Sequence, residues 1–389
     1  MGNFKIKKES CFAGFSACGG SRKRHLLFRR SAIHRRFLYD REGTFLSYKK
    51  VALAAVCAAL LFWEGLGCPA TETVQAAQKD SVVVVIDPGH GGTGGRNEGG
   101  IFGTNVEKHL TMLTAQAMKQ TLEQFEGVRV FLTREDDREV SLTDRAKIAK
   151  QYGADLMVSL HYNMSSDHSL YGAEAWTSAF GDEYAKGQSF ARLWLSDVQA
   201  AYGLYGRGAK VRLGSSGKDY YGVIRAARER GIPCVILEHC HLDNANDNGL
   251  VSAPEQIAAF GVTDALSVAK YFQLKSTALG LDYSGFSSPA VTAPGRGAQP
   301  DSTAPQILSA TAKRAGEGTI SVTVEAADPE SGLLYYSWSA DGGLSWSALQ
   351  RWPGGETATF SCPVPASGSL LVRAHNAYDL TAQAAVTNP

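Results

Sequence analysis

Two histidines and one glutamate stand where a predicted strand ends or a predicted helix begins. His90 follows the apolar run Val82–Ile86 and a Pro-Gly turn, and His161 follows the run Asp155–Leu160. Glu107 lies at the start of an amphipathic stretch that is typical of a helix. In an open parallel sheet, strand ends and the amino ends of the returning helices collect at the same carboxyl edge. We therefore expect the three side chains to converge there.

Two imidazoles and one carboxylate form a donor set that suits zinc. Three protein ligands leave a fourth position for water, which is the arrangement of a catalytic rather than a structural site. A metal-activated water also needs a carboxylate that takes its proton and delivers it to the leaving group. Glu238 is the candidate, because it follows the apolar run Cys234–Leu237 and should reach the same edge. A single His or Glu on a loop is usually exposed, but four at separate element ends favour a metal site.

The residues that follow Glu238 leave two other assignments open. In an extended chain, Glu238 and Cys240 face one side, and His239 and His241 face the other. His239 with His241 is therefore a rival metal pair, and Cys240 is a rival nucleophile that would need its own partner histidine. Both readings are less favoured than the first. His109 lies on another helix face from Glu107, and we expect it at the surface.

Apolar runs alternate with amphipathic stretches from residue 81 onward, which predicts an α/β fold. The predicted strands are Val82–Ile86, Val128–Thr133, Asp155–Leu160 and Cys234–Leu237, and the predicted helices are Val106–Phe125, Ser141–Tyr152, Glu183–Tyr202 and Pro254–Phe272. Right-handed crossovers between such elements should give a mostly parallel twisted sheet with helices on both faces.

The composition divides the chain into four regions. We expect a basic leader over 1–77, the α/β domain over 78–274, a flexible linker over 275–304 and a small all-β sandwich over 305–389. The linker is rich in Ser, Ala, Gly and Pro without helical or strand periodicity. The last region contains short alternating runs that are typical of an immunoglobulin-like sandwich: Ile320–Ala326, Leu333–Ser339, Thr357–Cys362 and Leu370–Ala374.

The leader is strongly basic. Residues 1–77 contain 13 Lys/Arg and 5 Asp/Glu, whereas the rest of the chain contains 26 and 33. The basic region runs into 13 consecutive apolar residues, 51–63, fewer than the roughly 20 needed to cross a bilayer. This pattern favours an export signal over a nucleic-acid-binding arm, and a membrane anchor through residues 51–63 remains the alternative. We therefore expect an exported protein and no nucleic-acid partner.

Beyond the leader the chain contains only Cys234, Cys240 and Cys362. They show no Cys-x-x-Cys spacing, and three thiols cannot all pair. The sequence therefore supports neither a disulfide scaffold nor a cysteine zinc site.

Residues 82 to about 272 resemble the zinc-dependent N-acetylmuramoyl-L-alanine amidases of bacterial cell walls, often labelled amidase type 3. The spaced motifs that carry the resemblance are Val-Ile-Asp-Pro-Gly-His-Gly-Gly at 85–92, Glu107-Lys108, Leu132-Thr133-Arg134, Ser141-Leu142 with Arg145, Ser159-Leu160-His161-Tyr162-Asn163, and 233–238 with Asn244. The resemblance implies that His90, Glu107 and His161 bind one zinc ion and that Glu238 is the catalytic acid/base. It also implies the substrate, the peptidoglycan amide that joins N-acetylmuramic acid to L-alanine.

One departure from the family falls beside the expected catalytic residue. The family commonly has Gly and Phe where this chain has Cys240 and His241. Two alternative functions remain: a zinc peptidase that cuts within the stem peptide, and a non-catalytic wall-binding protein. We expect the protein outside the cell, in the cell wall or at the outer face of the membrane. The sequence does not indicate an oligomeric state.

Overall fold

A computed structural model describes residues 81–365 and 369–387, which belong to one compact unit. The leader over 1–77, with its apolar stretch 51–63, lies outside the described residues. Within the described ranges, no helix has both the length and the apolar character that crossing a bilayer requires.

The amino-terminal half is built around one six-stranded sheet. Numbered along the chain, β1 (Val82–Pro88) is followed by the short hairpin β2 (Ile101–Phe102) and β3 (Asn105–Val106), and then by β4 (Val128–Leu132), β5 (Leu156–Asn163), β6 (Ala173–Thr177), β7 (Gly206–Val211) and β8 (Cys234–His241). The sheet order is β4-β1-β5-β8-β6-β7. The first four strands in that order are parallel, β6 is antiparallel to β8, and β7 is parallel to β6. The predicted mostly parallel sheet is thus confirmed.

Helices cover both faces of this sheet. They are α1 (Glu107–Leu122), α2 (Leu142–Tyr152), α3 (Gly181–Tyr202), α4 (Gly222–Arg228) and α5 (Pro254–Tyr271). On one face α5 packs against α1 and α3, and on the other α2 packs against α4. The central strands β1 and β8, covered on both faces, are buried at all but one residue each, which explains their apolar runs.

Local signals set the ends of α2 as the sequence predicts. Ser141 is the N-cap, and its hydroxyl accepts a hydrogen bond from the Asp144 amide at 3.1 Å. The helix ends at Gly153, which adopts the left-handed conformation with φ 70°. Such a C-terminal glycine has no Cβ to strain in that conformation. The helix therefore has a defined start and stop, which places Arg145 in its first turn.

Strands β6 and β7 were not predicted from the sequence. The first contains Glu174, and the second contains two glycines together with Arg207 and Lys210. Residues of these types have low strand propensity. They are nevertheless accommodated because their charged groups are paired with one another inside the fold.

The carboxyl-terminal region is an all-β unit. After a small hairpin, β9 (Lys275–Ser276) and β10 (Leu281–Asp282), come β11 (Gln306–Gly316), β12 (Thr319–Ala327), β13 (Leu333–Ser339), β14 (Gln350–Arg351), β15 (Thr357–Pro363), β16 (Leu371–Asn376) and β17 (Thr381–Ala385). They form two sheets, β11-β12-β15 and β14-β13-β16-β17. One apolar core, which includes Val322, Trp352 and Val372, lies between them.

Two further contact regions join the β unit and the preceding segment to the α/β unit. A cluster of Tyr171, Leu334, Tyr335 and Leu349 packs the β unit against the chain that leads into β6. The segment between the two units is also bonded to α3 and to the residues just before it: Ser189 Oγ donates to the Pro289 carbonyl at 2.8 Å, and the Ala298 amide donates to the Ala179 carbonyl at 2.7 Å.

Candidate active site

The structure brings the three predicted ligands together at the carboxyl edge of the sheet. Glu107 Oε1 lies 3.0 Å from His90 Nε2 and 3.0 Å from His161 Nδ1. One ligating atom from each residue lies within 4.8 Å of the other two. The Glu107 side chain is buried, whereas the two imidazoles are 23% and 19% exposed. The cluster therefore combines a fixed carboxylate with two partly exposed imidazoles.

His90 is held by its backbone as much as by its side chain. It has a φ of 61°, which is uncommon for a residue with a side chain, and its carbonyl accepts a hydrogen bond from Arg145 of α2. Its Nδ1 lies 3.2 Å from Asn97 Oδ1, so that Nε2 faces Glu107. The turn after β1 thus presents one defined nitrogen to the site.

Glu107 is positioned by the loop that precedes α1. Its Oε2 accepts a hydrogen bond from the Gly100 amide at 2.7 Å, and its Oε1 accepts one from the Tyr162 amide at 3.1 Å. Gly99, with φ 75°, has no room for a Cβ because that atom would meet the Glu107 carboxylate. The loop backbone therefore closes directly over this carboxylate.

A series of buried polar side chains, hydrogen-bonded to one another, orients the His161 ring through its Nε2. Its Nε2 lies 3.2 Å from Ser159 Oγ, which donates to Asp87 Oδ2 at 2.7 Å. Asp87 also accepts from Arg145 at 2.7 Å and from Thr133. Hydrogen bonds of this kind fix the ring and the nitrogen that a histidine presents. Here they direct His161 Nδ1 towards Glu107.

The charge state of Glu107 suits a ligand. Burial opposes its ionisation, but hydrogen bonds to His161 and His90 outweigh burial and lower the pKa of Glu107 well below its usual range. Glu107 is therefore ionised at neutral pH, as coordination requires.

Glu238 reaches the same edge. It pairs with His161 across β5 and β8, and with Glu174 across β8 and β6, so the three side chains share one face of the sheet. Its Oε2 is buried and has no hydrogen-bond partner. Burial, followed by the charges of Glu107 and Glu174, raises the pKa of Glu238 well above its ordinary value. Glu238 thus holds a proton more readily than a surface carboxylate.

The rival assignments at 239–241 do not form a site in the structure. His239 lies between the His161 carbonyl and Asp264 Oδ2, at 2.9 Å from each. His241 Nδ1 lies 3.1 Å from the Gly172 carbonyl, and Cys240 is buried. Within the described residues, His90, Glu107 and His161 form the one group of three metal-capable side chains that converge. His109 is exposed, as predicted.

Sequence reasoning missed the buried ion cluster beside Glu238. Glu174 accepts hydrogen bonds from Arg207 Nε at 2.8 Å and from Lys210 Nζ at 2.6 Å. Burial opposes ionisation of Glu174, but the two cations outweigh it and lower its pKa far below the usual range. The sequence signal was a pair of cations three residues apart in a short, glycine-containing segment, together with a glutamate flanked by alanines 33 residues before the first cation.

The donor set fits a divalent metal ion. Two imidazoles and one ionised carboxylate present their atoms to a common point, and the unpartnered Glu238 oxygen lies on the same sheet edge. The described residues could therefore hold one metal ion with three protein ligands, which leaves coordination positions for water or substrate.

The comparisons with known proteins point to one family. Residues 84–269 match the Amidase_3 family model, described as N-acetylmuramoyl-L-alanine amidase. The chain is 28% identical over 207 residues to the N-acetylmuramoyl-L-alanine amidase CwlM of Bacillus licheniformis, which covers 51% of this chain and 72% of that protein. It is 29% identical over 198 residues to the sporulation-specific N-acetylmuramoyl-L-alanine amidase of Bacillus subtilis, which covers 50% and 70%.

Solved structures of similar sequence include the catalytic domain of CwlV, an N-acetylmuramoyl-L-alanine amidase from Bacillus (Paenibacillus) polymyxa. It is 29% identical, covers 50% of this chain and 99% of that chain, and has a TM-score of 0.42. The matched segment of the present chain contains β1, β5, β8 and all four candidate site residues. Over residues 84–269, this chain is thus similar to the N-acetylmuramoyl-L-alanine amidase family.

Proposed function

We propose that this protein is a zinc amidase that hydrolyses the peptidoglycan bond between N-acetylmuramic acid and L-alanine. The observation that carries the proposal is the cluster of His90, Glu107 and His161 with Glu238 on the same sheet edge, inside a segment of the amidase family. Zinc is the ion we assign, because it takes two imidazoles and one carboxylate and keeps a position open. Named relatives that are cell-wall amidases support peptidoglycan as the substrate.

In this mechanism, His90, His161 and the Glu107 carboxylate would hold the metal. When bound, zinc supplies polarisation of the scissile carbonyl and a water of lowered pKa. Asp87, through Ser159, keeps the His161 ring from rotating, and Arg145 keeps the His90 turn in place. The site is therefore assembled before substrate arrives, which lowers the reorganisation needed for reaction.

Glu238 moves the proton in this proposal. Its unpartnered Oε2 accepts a proton from the attacking water and then donates it to the nitrogen of L-alanine as the amide bond breaks. A carboxylate in water is a poor proton donor at neutral pH, and burial of Glu238 corrects this by raising its pKa. The amine leaves with the stem peptide, and the lactyl carboxylate stays on the sugar.

We further propose that the protein acts outside the cell, exported by the basic leader or anchored through residues 51–63. The curated relatives include proteins named probable cell wall amidase from Staphylococcus epidermidis, which supports a cell-wall location. The boundaries 78–274, 275–304 and 305–389 remain our proposed division of the rest of the chain.

Product analysis of digested sacculi tests the function. We expect peptides with a free amino-terminal L-alanine and muramic acid that lacks its peptide, and we expect no release when a chelator is present. Cleavage between residues of the stem would identify a zinc peptidase instead. Binding to sacculi without any cleavage, even with added zinc, would identify a non-catalytic wall-binding protein.

A further inference from the structure

Glu174 is the centre of a buried network beside Glu238. Its Oε1 accepts hydrogen bonds from Asn163 and Trp176, and its Oε2 accepts from Arg207 and Lys210, all between 2.6 and 3.1 Å. Asn163 lies two residues after His161 on β5. One carboxylate therefore ties together β5, β6 and β7 on the face that carries Glu238.

The charges within the α/β unit do not balance on their own. Arg207 and Lys210 are both buried, and Glu174 supplies one negative charge for two cations. An unpaired buried cation is strongly unfavourable. The missing charge comes from the β unit, where Asp379 accepts from Arg207 Nη2 with both carboxylate oxygens, at 2.9 and 2.7 Å. The network is complete only with this residue.

Other groups of the β unit bind the same strand. The Ala377 carbonyl accepts a hydrogen bond from Lys210 Nζ at 2.8 Å. The Tyr378 hydroxyl lies 3.2 Å from the amide and 3.1 Å from the carbonyl of Val211, at the end of β7. Tyr335 Oη accepts from Arg207 Nη1 at 3.2 Å. The turn 377–379 is thus fitted to β7 through main-chain and side-chain groups.

We propose that the carboxyl-terminal β unit is a positioning module of the active site, and that Asp379 is its key positioning residue. Asp379 holds the Arg207 guanidinium so that Nε faces Glu174. Glu174 then fixes Asn163 and with it β5, the strand whose His161 pairs directly with Glu238. This inference rests on the proposed amidase function, and it gives the β unit a role that needs no contact with the cell wall.

The test uses the full-length protein with Asp379→Asn. Asparagine keeps the side-chain shape and tolerates the left-handed backbone of this residue, φ 62°, but it removes the charge and one acceptor. On a soluble muramoyl-peptide we expect kcat to fall on the order of 10-fold with KM within twofold, since a small misplacement of catalytic groups slows the reaction strongly. Bound zinc should equal that of the wild type.

A double-mutant cycle separates positioning from general destabilisation. If Asp379 acts through Arg207, then Arg207→Gln lowers kcat and Asp379→Asn causes no further loss in that background. Glu356→Gln removes an exposed carboxylate of the same β unit and should leave kcat unchanged. All variants are assayed well below their unfolding temperatures.

Each outcome decides between defined alternatives. Wild-type kcat in folded Asp379→Asn, or an equal loss in both backgrounds, would overturn the positioning role. If the wild type itself releases no peptide, the proposed function fails instead. If Asp379→Asn does not fold, Tyr378→Phe, which loses the hydroxyl contacts to Val211, replaces it, and unchanged kcat in that variant would equally overturn the inference.

Discussion

Glu238 has two properties that ordinary surface carboxylates lack. One of its oxygens is buried without a hydrogen-bond partner, and burial, followed by the charges of two nearby carboxylates, raises its pKa. A buried polar atom without a partner is unfavourable for folding. The arrangement is understandable if that oxygen meets water or substrate during the reaction.

Replacing Glu238 by glutamine should stop catalysis but not metal binding. Glutamine has nearly the same size but cannot take up the proton, so we expect kcat to fall roughly 1,000-fold or more. Zinc stoichiometry, measured on the purified protein, should match the wild type because Glu238 is not among the three converging ligands. The exposed Glu229→Gln is the matched control. Activity within tenfold of the wild type would refute the assignment.

His241 should make stability depend on pH. It is fully buried, its Nε2 has no partner, and burial, helped by Arg207, lowers its pKa to about 4. Between pH 6.5 and 4, His241 binds a proton in the unfolded chain but not in the folded protein. Folding stability should therefore fall by about 3 kcal/mol as pH drops through that window, with no further loss from this group below it.

The variant His241→Asn keeps a donor for the Gly172 carbonyl and cannot titrate. Its free energy of unfolding should be measured in denaturant at several pH values. Between pH 6.5 and 4, the slope of that free energy against pH should correspond to about one proton fewer than in the wild type. Identical slopes in the two proteins would show that His241 does not contribute. The slope of the variant will not vanish, because burial also lowers the pKa of His375 to about 4.

The turn after β1 illustrates how an element sets the geometry of the site. A Cβ at Gly89 would meet the His161 ring and the Leu160 carbonyl, although the backbone of Gly89 is one that alanine can adopt. The close approach of two strand ends therefore requires glycine for space rather than for conformation.

Gly89→Ala should accordingly weaken metal binding. We expect zinc affinity to fall roughly tenfold or more, because the new methyl group displaces His161 from its orientation. Competition with a chromophoric chelator measures this directly. Gly249→Ala is the control, since a Cβ there meets nothing within 4 Å. Equal affinities in both variants and the wild type would argue against His161 as a ligand.

At the level of the whole molecule, the two units share buried charge and aromatic packing. Tyr335 of the β unit contacts Tyr171 and Tyr205, and its hydroxyl donates to the Tyr171 carbonyl. Unfolding of the β unit alone would be costly, because the buried Arg207 would lose Asp379 and the buried Lys210 would lose the Ala377 carbonyl.

Scanning calorimetry should therefore show one unfolding transition for the two units. Tyr335→Phe should lower the midpoint of that transition by about 2–4 °C, since it removes a buried hydroxyl that has two partners. Tyr336→Phe, whose hydroxyl makes no described hydrogen bond, should leave it nearly unchanged. Two separate transitions, with only one shifted by Tyr335→Phe, would contradict the coupling.

The sequence by itself determined the edge at which His90, Glu107, His161 and Glu238 meet. It also determined the strands β1, β4, β5 and β8 and the helices α1, α2, α3 and α5, but not α4. These features depend on local patterns: apolar runs, a capping serine, and turns that end strands. A residue just past a buried strand must emerge at the edge, whatever the remainder of the fold does. The same patterns predict β12, β13, β15 and β16 of the carboxyl-terminal β unit, but not β11, β14 and β17.

Only the tertiary structure decided what surrounds that edge. Strand β6 lies antiparallel to β8, Glu174 pairs with Arg207 33 residues further along the chain, and Arg207 meets Asp379 across 172 residues. No local pattern specifies such partners, because buried charges select one another only after the sheets have packed. The docking of the β unit against β7 arises in the same way, and with it the network that holds the strand opposite Glu238.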